Sequence, residues 1–181
     1  MTRALLIIDI QLDYFPDGAY PLVGPDAAAT VAERVLRDFR ERGEPVIHVQ
    51  HIWDAPDAAF MVPGTPGVEI HPALRPRGDE VLIQKAAPNS FVDTSLAGEL
   101  ERQGIDAVVI VGMMSSMCVD ATARAALDRG LAVTVLHDGC AAPDLEFNGT
   151  SIAGNVVHAA FMAALRDAGA TVVAADDLGA G

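Results

Sequence analysis

The feature that most restricts this chain is a regular alternation of short, almost wholly apolar runs with longer segments of helical period. The apolar runs occupy 4–10, 46–49, 81–84, 107–111, 132–136 and 171–174. Runs of that length with few polar interruptions belong to strands covered on both faces. Between them, 26–42, 95–103, 117–129 and 151–168 carry helical patterning. The first of these places Val31, Val35, Leu36 and Phe39 on one stripe and ends at Gly43, a residue that often closes a helix. Strands that alternate with helices in this way form parallel sheets, because each helix carries the chain back across the sheet. The expectation is an α/β fold of three αβα layers around a six-stranded parallel sheet, in one domain spanning residues 1–181.

In such folds ligands bind beyond the carboxyl ends of the strands, so the residues directly after each apolar run are the ones to inspect. The first run leads into Asp9 and the third into Lys85. Each is a charge emerging from an apolar strand, and two opposite charges at equivalent strand ends can compensate one another. The fourth run ends at Gly112 and is followed by Met-Met-Ser-Ser-Met-Cys118 and a helical segment. A thiol in the first turn of a helix lies near free backbone N–H groups, and a neighbouring lysine would favour its anionic form. A carboxylate to take the thiol proton, a cation to hold the thiolate and N–H groups to receive an oxyanion together point to nucleophilic catalysis by Cys118. His137 follows the fifth run and keeps a Cys-His pair open as an alternative. Two long irregular stretches, 52–79 and 137–149, are candidates for the rim of a site.

Charge narrows the partners. With 12 Lys and Arg against 25 Asp and Glu, the formal charge is −13, which suits neither nucleic acid nor an anionic membrane surface. No apolar run reaches the length of a membrane span, and the opening run is too short, and too soon interrupted by Asp9, to read as a signal peptide. Two cysteines, Cys118 and Cys140, do not make a disulfide framework, so the expected location is cytoplasmic.

Three blocks in order then resemble one family. Leu6-Ile-Ile-Asp9-Ile-Gln11 with Phe15, Lys85 with Asn89-Ser90-Phe91 and Thr94, and Gly112-Met-Met-Ser-Ser-Met-Cys118-Val119 with Thr122 and Ala125-Ala126 are similar to the signature segments of the isochorismatase-like cysteine hydrolases, which include the nicotinamidases. The resemblance implies that Asp9 is the general base, Lys85 the residue between Asp and Cys, and Cys118 the nucleophile. It also implies a cis peptide between Met113 and Met114, with the N–H groups of Met114 and Cys118 as oxyanion hole.

The same resemblance implies a homodimer or higher oligomer. Nicotinamidases hold a metal through an Asp-x-His pair after the second strand; this chain has Val49-Gln50-His51 there and Phe60-Met61-Val62-Pro63 before Gly64-Thr-Pro-Gly67. No metal and no other cofactor is expected, and His48, His51 and His71 are read as loop or pocket histidines. Phe15, Trp53, Phe91, Met114 and Met117 are the expected apolar wall of a small-molecule pocket. The function expected is hydrolysis of a small amide through a covalent Cys118 intermediate. The alternatives are vinyl ether cleavage, metal-dependent nicotinamide hydrolysis, a redox-sensing thiol pair with Cys140, and a non-enzymatic oligomeric scaffold.

Overall fold

The computed structural model describes residues 2–179. Its centre is a six-stranded, all-parallel sheet in the order β3-β2-β1-β4-β5-β8. The strands are β1 (Arg3–Ile8), β2 (Val46–His51), β3 (Val81–Lys85), β4 (Ala107–Met113), β5 (Ala132–Ala141) and β8 (Thr171–Val173). The helices are α1 (Pro25–Arg42), α2 (Leu96–Arg102), α3 (Asp120–Asp128) and α4 (Gly154–Asp167). A separate antiparallel hairpin joins β6 (Leu145–Phe147) to β7 (Thr150–Ile152). None of the described helices is long and apolar enough to cross a membrane.

Two-residue alternation along β1 divides the core. Leu5 and Ile7 face a cluster with Ala32, Val35, Leu36 and Phe39 of α1. Ala4, Leu6 and Ile8 face a second cluster with Leu96 and Leu100 of α2, Ala123 and Ala126 of α3, and Met162 and Leu165 of α4. One helix therefore covers one face and three cover the other, which is why the strands read as continuous apolar runs. The chain builds outwards from β1 to β2 and β3, then returns to place β4 on the other side of β1. Such a reversal opens a crevice at the carboxyl ends of the two central strands. Asp9 follows one of them and Cys118 the other.

The structure departs from the sequence pattern around β5. The expected loop 137–149 is partly strand, because β5 continues to Ala141 after a register shift opposite Ile110 and Gly112. On the other side of β4, Gly112 (φ 145°) lets β1 approach closely; a Cβ there would lie 2.1 Å from the Ile8 carbonyl oxygen. Residues Ser151 and Ile152 belong to β7, so the last helix begins at Gly154 rather than 151. The helical pattern expected from 117 is preceded by a single π-helical turn, Ser115–Val119, with α3 beginning at Asp120.

Candidate active site

Three strand ends deliver three polar side chains to one buried point. Asp9, directly after β1, is fully buried and adopts φ 51°. Its N–H donates to the carbonyl of Val49 (3.0 Å), which ties the turn to β2. Lys85 closes β3, and Cys118 lies in the turn after β4; both are buried. Lys85 Nζ stands 2.7 Å from Asp9 Oδ2, donates to His51 Nδ1 at 2.9 Å and to Cys118 Sγ at 3.3 Å. His51 and Cys118 thus accept from the ammonium, and Asp9 pairs with its charge.

The Asp9–Lys85 contact is a close ion pair, yet neither Asp9 oxygen receives an aligned hydrogen bond within the described residues. Burial leaves Lys85 as the partner that compensates the carboxylate charge. Burial, and then the Asp9 charge, push the Cys118 thiol up, and Lys85 only partly opposes them. The sequence suggested the opposite direction from the lysine and the helix start; in the folded site desolvation and the carboxylate win. Burial works against the charged form of Lys85, but Asp9 and Cys118 outweigh it and the amine is raised. His51 is lowered by burial and by Lys85, so its imidazole is a neutral acceptor. The resting arrangement is thiol, carboxylate and ammonium.

The turn that carries Cys118 is fixed from both sides. The Met113–Met114 peptide is cis. The Met114 carbonyl accepts from the N–H groups of Met117 and Val119, while its own N–H donates to nothing within the described residues. Ser115, fully buried, shares a 2.8 Å hydrogen bond with His158 Nδ1 on α4. Gln11, also fully buried, clamps the opposite wall: its amide donates to the carbonyls of His51 (2.9 Å) and Val68 (2.7 Å) and accepts from His51 N–H (2.8 Å).

Beside Cys118 opens a cavity of about 170 Å³. Tyr14, Trp53 and Phe60 form its aromatic side; Met114, Met117, Ala86, Pro88 and His51 complete the wall. The aromatic side hangs on Met61, which is buried at φ 55°. Its N–H donates to Asp13 Oδ2 (2.6 Å), and its carbonyl accepts from Trp53 N–H (3.0 Å). Phe60 then stacks on Tyr20 at 4.8 Å and meets Trp53 edge-on at 5.3 Å. Gly67 allows Asp13 its position, since a Cβ there would fall 1.9 Å from Asp13 Oδ1. Larger depressions of about 910 and 620 Å³ lie elsewhere and touch none of Asp9, Lys85 or Cys118.

Of the five wall residues expected from sequence, Trp53, Met114 and Met117 line this cavity. Phe15 does not: it stacks on His71 at 4.6 Å and faces the 910 Å³ depression. The 3-10 turn Leu12–Tyr14 aims Tyr14 at the cavity instead. Phe91 packs in the core with Arg129 over its ring. His137 lies near His158 on the α4 side, outside the Cys118 wall. His48 binds Glu80 Oε2 at 2.9 Å. Cys140 is buried, donates to the Leu136 carbonyl at 3.4 Å and is pushed up to about 12 by burial. His51, read as a loop or pocket histidine, lines the cavity; sequence reasoning missed Tyr14, Phe60 and Asp13. The three-residue step from Gln11 to Tyr14 was the one available signal.

Among the described residues, Asp9, His51 and Cys118 are the group of metal-ligand types whose donor atoms all lie within 4.8 Å of one another. They do not fit a resident metal. The Lys85 ammonium already touches all three, so a divalent ion would meet a fixed like charge.

Comparison with known proteins places this geometry. The Isochorismatase domain family model matches residues 3–177. The isochorismatase family protein YddQ of Bacillus subtilis is 48% identical over 172 residues, 95% of this chain and 96% of that protein. Maleamate amidohydrolase of Pseudomonas putida is 34% identical over 75% of this chain and 70% of its own length. The crystal structure of an isochorismatase hydrolase from Oleispira antarctica superposes with a TM-score of 0.94 at 46% identity, covering 99% of this chain and 97% of that one. A six-stranded parallel sheet with this site at its switch point, matched over almost its whole length, makes the chain a member of the isochorismatase family of hydrolases.

Proposed function

We propose that this protein hydrolyses a small amide by covalent catalysis at Cys118. The observation that carries the reading is the fully buried Asp9 carboxylate, free of aligned donors and held against Lys85, beside a thiol that opens on a cavity. An amidohydrolase among the relatives supports the bond class. Asp9 takes the Cys118 proton as Sγ attacks the amide carbon. The carbonyl oxygen gains the electron pair and is received by the N–H groups of Met114 and Cys118. Lys85 steadies both Asp9 and the developing thiolate. Collapse of the tetrahedral species breaks the C–N bond, and Asp9 returns the proton to the departing nitrogen, so ammonia or an amine leaves and a thioester remains. Water, deprotonated by Asp9, then adds to the thioester; the acid departs and Cys118 recovers its proton. One carboxylate serves as base in each half and as acid in between.

A purified-protein screen that reads ammonia or amine release from an amide panel, with vinyl ethers in parallel, tests the bond class. Amide turnover with no ether cleavage is expected. Ether cleavage with no amide turnover would replace this reading with acid catalysis by Asp9. Because Lys85 fills the centre of the donor set, the same reading has the enzyme act without a metal. It also has the enzyme work as a homodimer or larger assembly, which light scattering at micromolar concentration checks.

A further inference from the structure

We infer that the Cys118 cavity selects by charge: it takes small uncharged acyl groups and rejects carboxylates. This rests on the amide-hydrolase reading for its substrate class, although the selection itself is a property of the wall. None of the nine residues lining the cavity is Lys or Arg. Lys85 is buried and engaged by Asp9, His51 and Cys118, so its charge is already compensated within the site. His51, the lining residue able to become cationic, is already accepting from Lys85 and is held neutral. The remaining surface is aromatic and thioether: Tyr14, Trp53, Phe60, Met114 and Met117.

Tyr14 lines the cavity, and its phenol stays protonated because burial, Cys118 and Asp9 all raise it. It is a neutral donor, suited to a carbonyl or ring nitrogen and insufficient to balance a carboxylate. An anion entering this space would lose its hydration, find no counterion and face Asp9. The chain as a whole, at −13, adds long-range repulsion. The cavity is also below the ~300–1,000 Å³ typical of drug-sized ligands, which favours a compact acyl group.

Two matched pairs test this. The first reads the wall without turnover: iodoacetamide and iodoacetate have the same shape and differ by one charge. In either case the Cys118 Sγ–C bond forms, iodide leaves and the thiol proton passes to Asp9 and on to solvent. The rate at Cys118 is followed by peptide mass, and the amide-to-acid rate ratio is divided by the same ratio for 2-mercaptoethanol. At least a tenfold excess for the amide is expected at Cys118. Met117→Arg changes a half-exposed rim residue and should bring the ratio back towards that of the free thiol. A normalised ratio near one, or unmoved by Met117→Arg, overturns the proposal.

The second pair is succinamide and succinamate, with kcat/KM for the neutral diamide expected to be at least ~100-fold higher. Equal turnover of the two overturns charge selection and leaves amide hydrolysis standing. Absence of turnover for every amide, with the alkylation ratio intact, sinks the amide-hydrolase reading and leaves the charge selection standing.

Discussion

Cys118 and Cys140 are both buried, belong to the same hydrophobic cluster and have thiols raised by desolvation. What differs is the next shell of atoms. Cys140 sits in β5 and donates to the Leu136 carbonyl, so its proton has no acceptor that would gain by taking it. Cys118 faces a carboxylate that accepts no aligned hydrogen bond from the described residues, an ammonium and a cavity. Burial alone makes a cysteine inert. On the proposed mechanism, reactivity at Cys118 comes from an adjacent acceptor reached without first passing through a solvated thiolate.

The largest effect that would break or uphold this contrast is loss of each thiol. Cys118→Ala should abolish turnover, by ~10⁴-fold or more, with an unchanged thermal midpoint to within a few degrees. Cys140→Ala should leave kcat/KM within about twofold and cost only about 1 kcal/mol of stability. A matching loss of turnover in Cys140→Ala, with a Cys118–Cys140 disulfide after mild oxidant, would move the protein to the redox-sensor class.

The partner of the thiol is separated from the thiol itself by Asp9→Asn. Turnover should fall by ~10²–10⁴. Alkylation of Cys118 at neutral pH should slow as well, because the acceptor of the thiol proton is gone. An alkylation rate left unchanged would mean that another group takes the thiol proton.

Lys85→Met should lower turnover and leave a buried, unpaired Asp9, with destabilisation of roughly 3–5 kcal/mol by urea unfolding. Adding Asp9→Asn to it should restore most of that stability and none of the activity. Chelation is expected to have a smaller effect still: prolonged dialysis against a chelator should leave turnover unchanged, and restoration of lost activity by zinc or iron would contradict the arrangement around Lys85.

The smallest expected effect is in stability against pH. A group raised in the folded state stabilises fully below its unfolded value and loses that contribution as pH rises. For Cys140 the unfolded thiol titrates near ~8.5 and the folded one at about 12, so its share is lost between those values. Cys140→Ala should therefore show a shallower decline of urea midpoint from pH 8.5 to 11 than the unmodified chain.

Asp9, Lys85 and Cys118 could be grouped from the sequence because Asp9 and Lys85 come at the ends of apolar runs, Cys118 follows the turn after the fourth, and ligands bind beyond strand ends in a parallel sheet. The sheet itself was legible from the same runs. The aromatic wall was not. Which of Tyr14 and Phe15 faces the cavity depends on a three-residue 3-10 turn that apolar patterning does not register. Phe60 reaches the site only because Asp13 and Gly67, at separate points of the chain, hold Met61. His51 reads as a loop or pocket histidine, but its partner, a lysine 34 residues away, was not legible. The overrun of β5 into the stretch 137–149 was hidden because it depends on a register shift against β4 that apolar patterning does not record.

The central claim is that Cys118 carries the acyl group, and an acid-quenched mass spectrum taken during turnover of a hydrolysed amide tests it most directly. The account predicts an added mass equal to the acyl group on the peptide containing Cys118, with none on the Cys140 peptide and none in Cys118→Ala. Undiminished turnover by Cys118→Ala, with no adduct at any time in the unmodified chain, would contradict it.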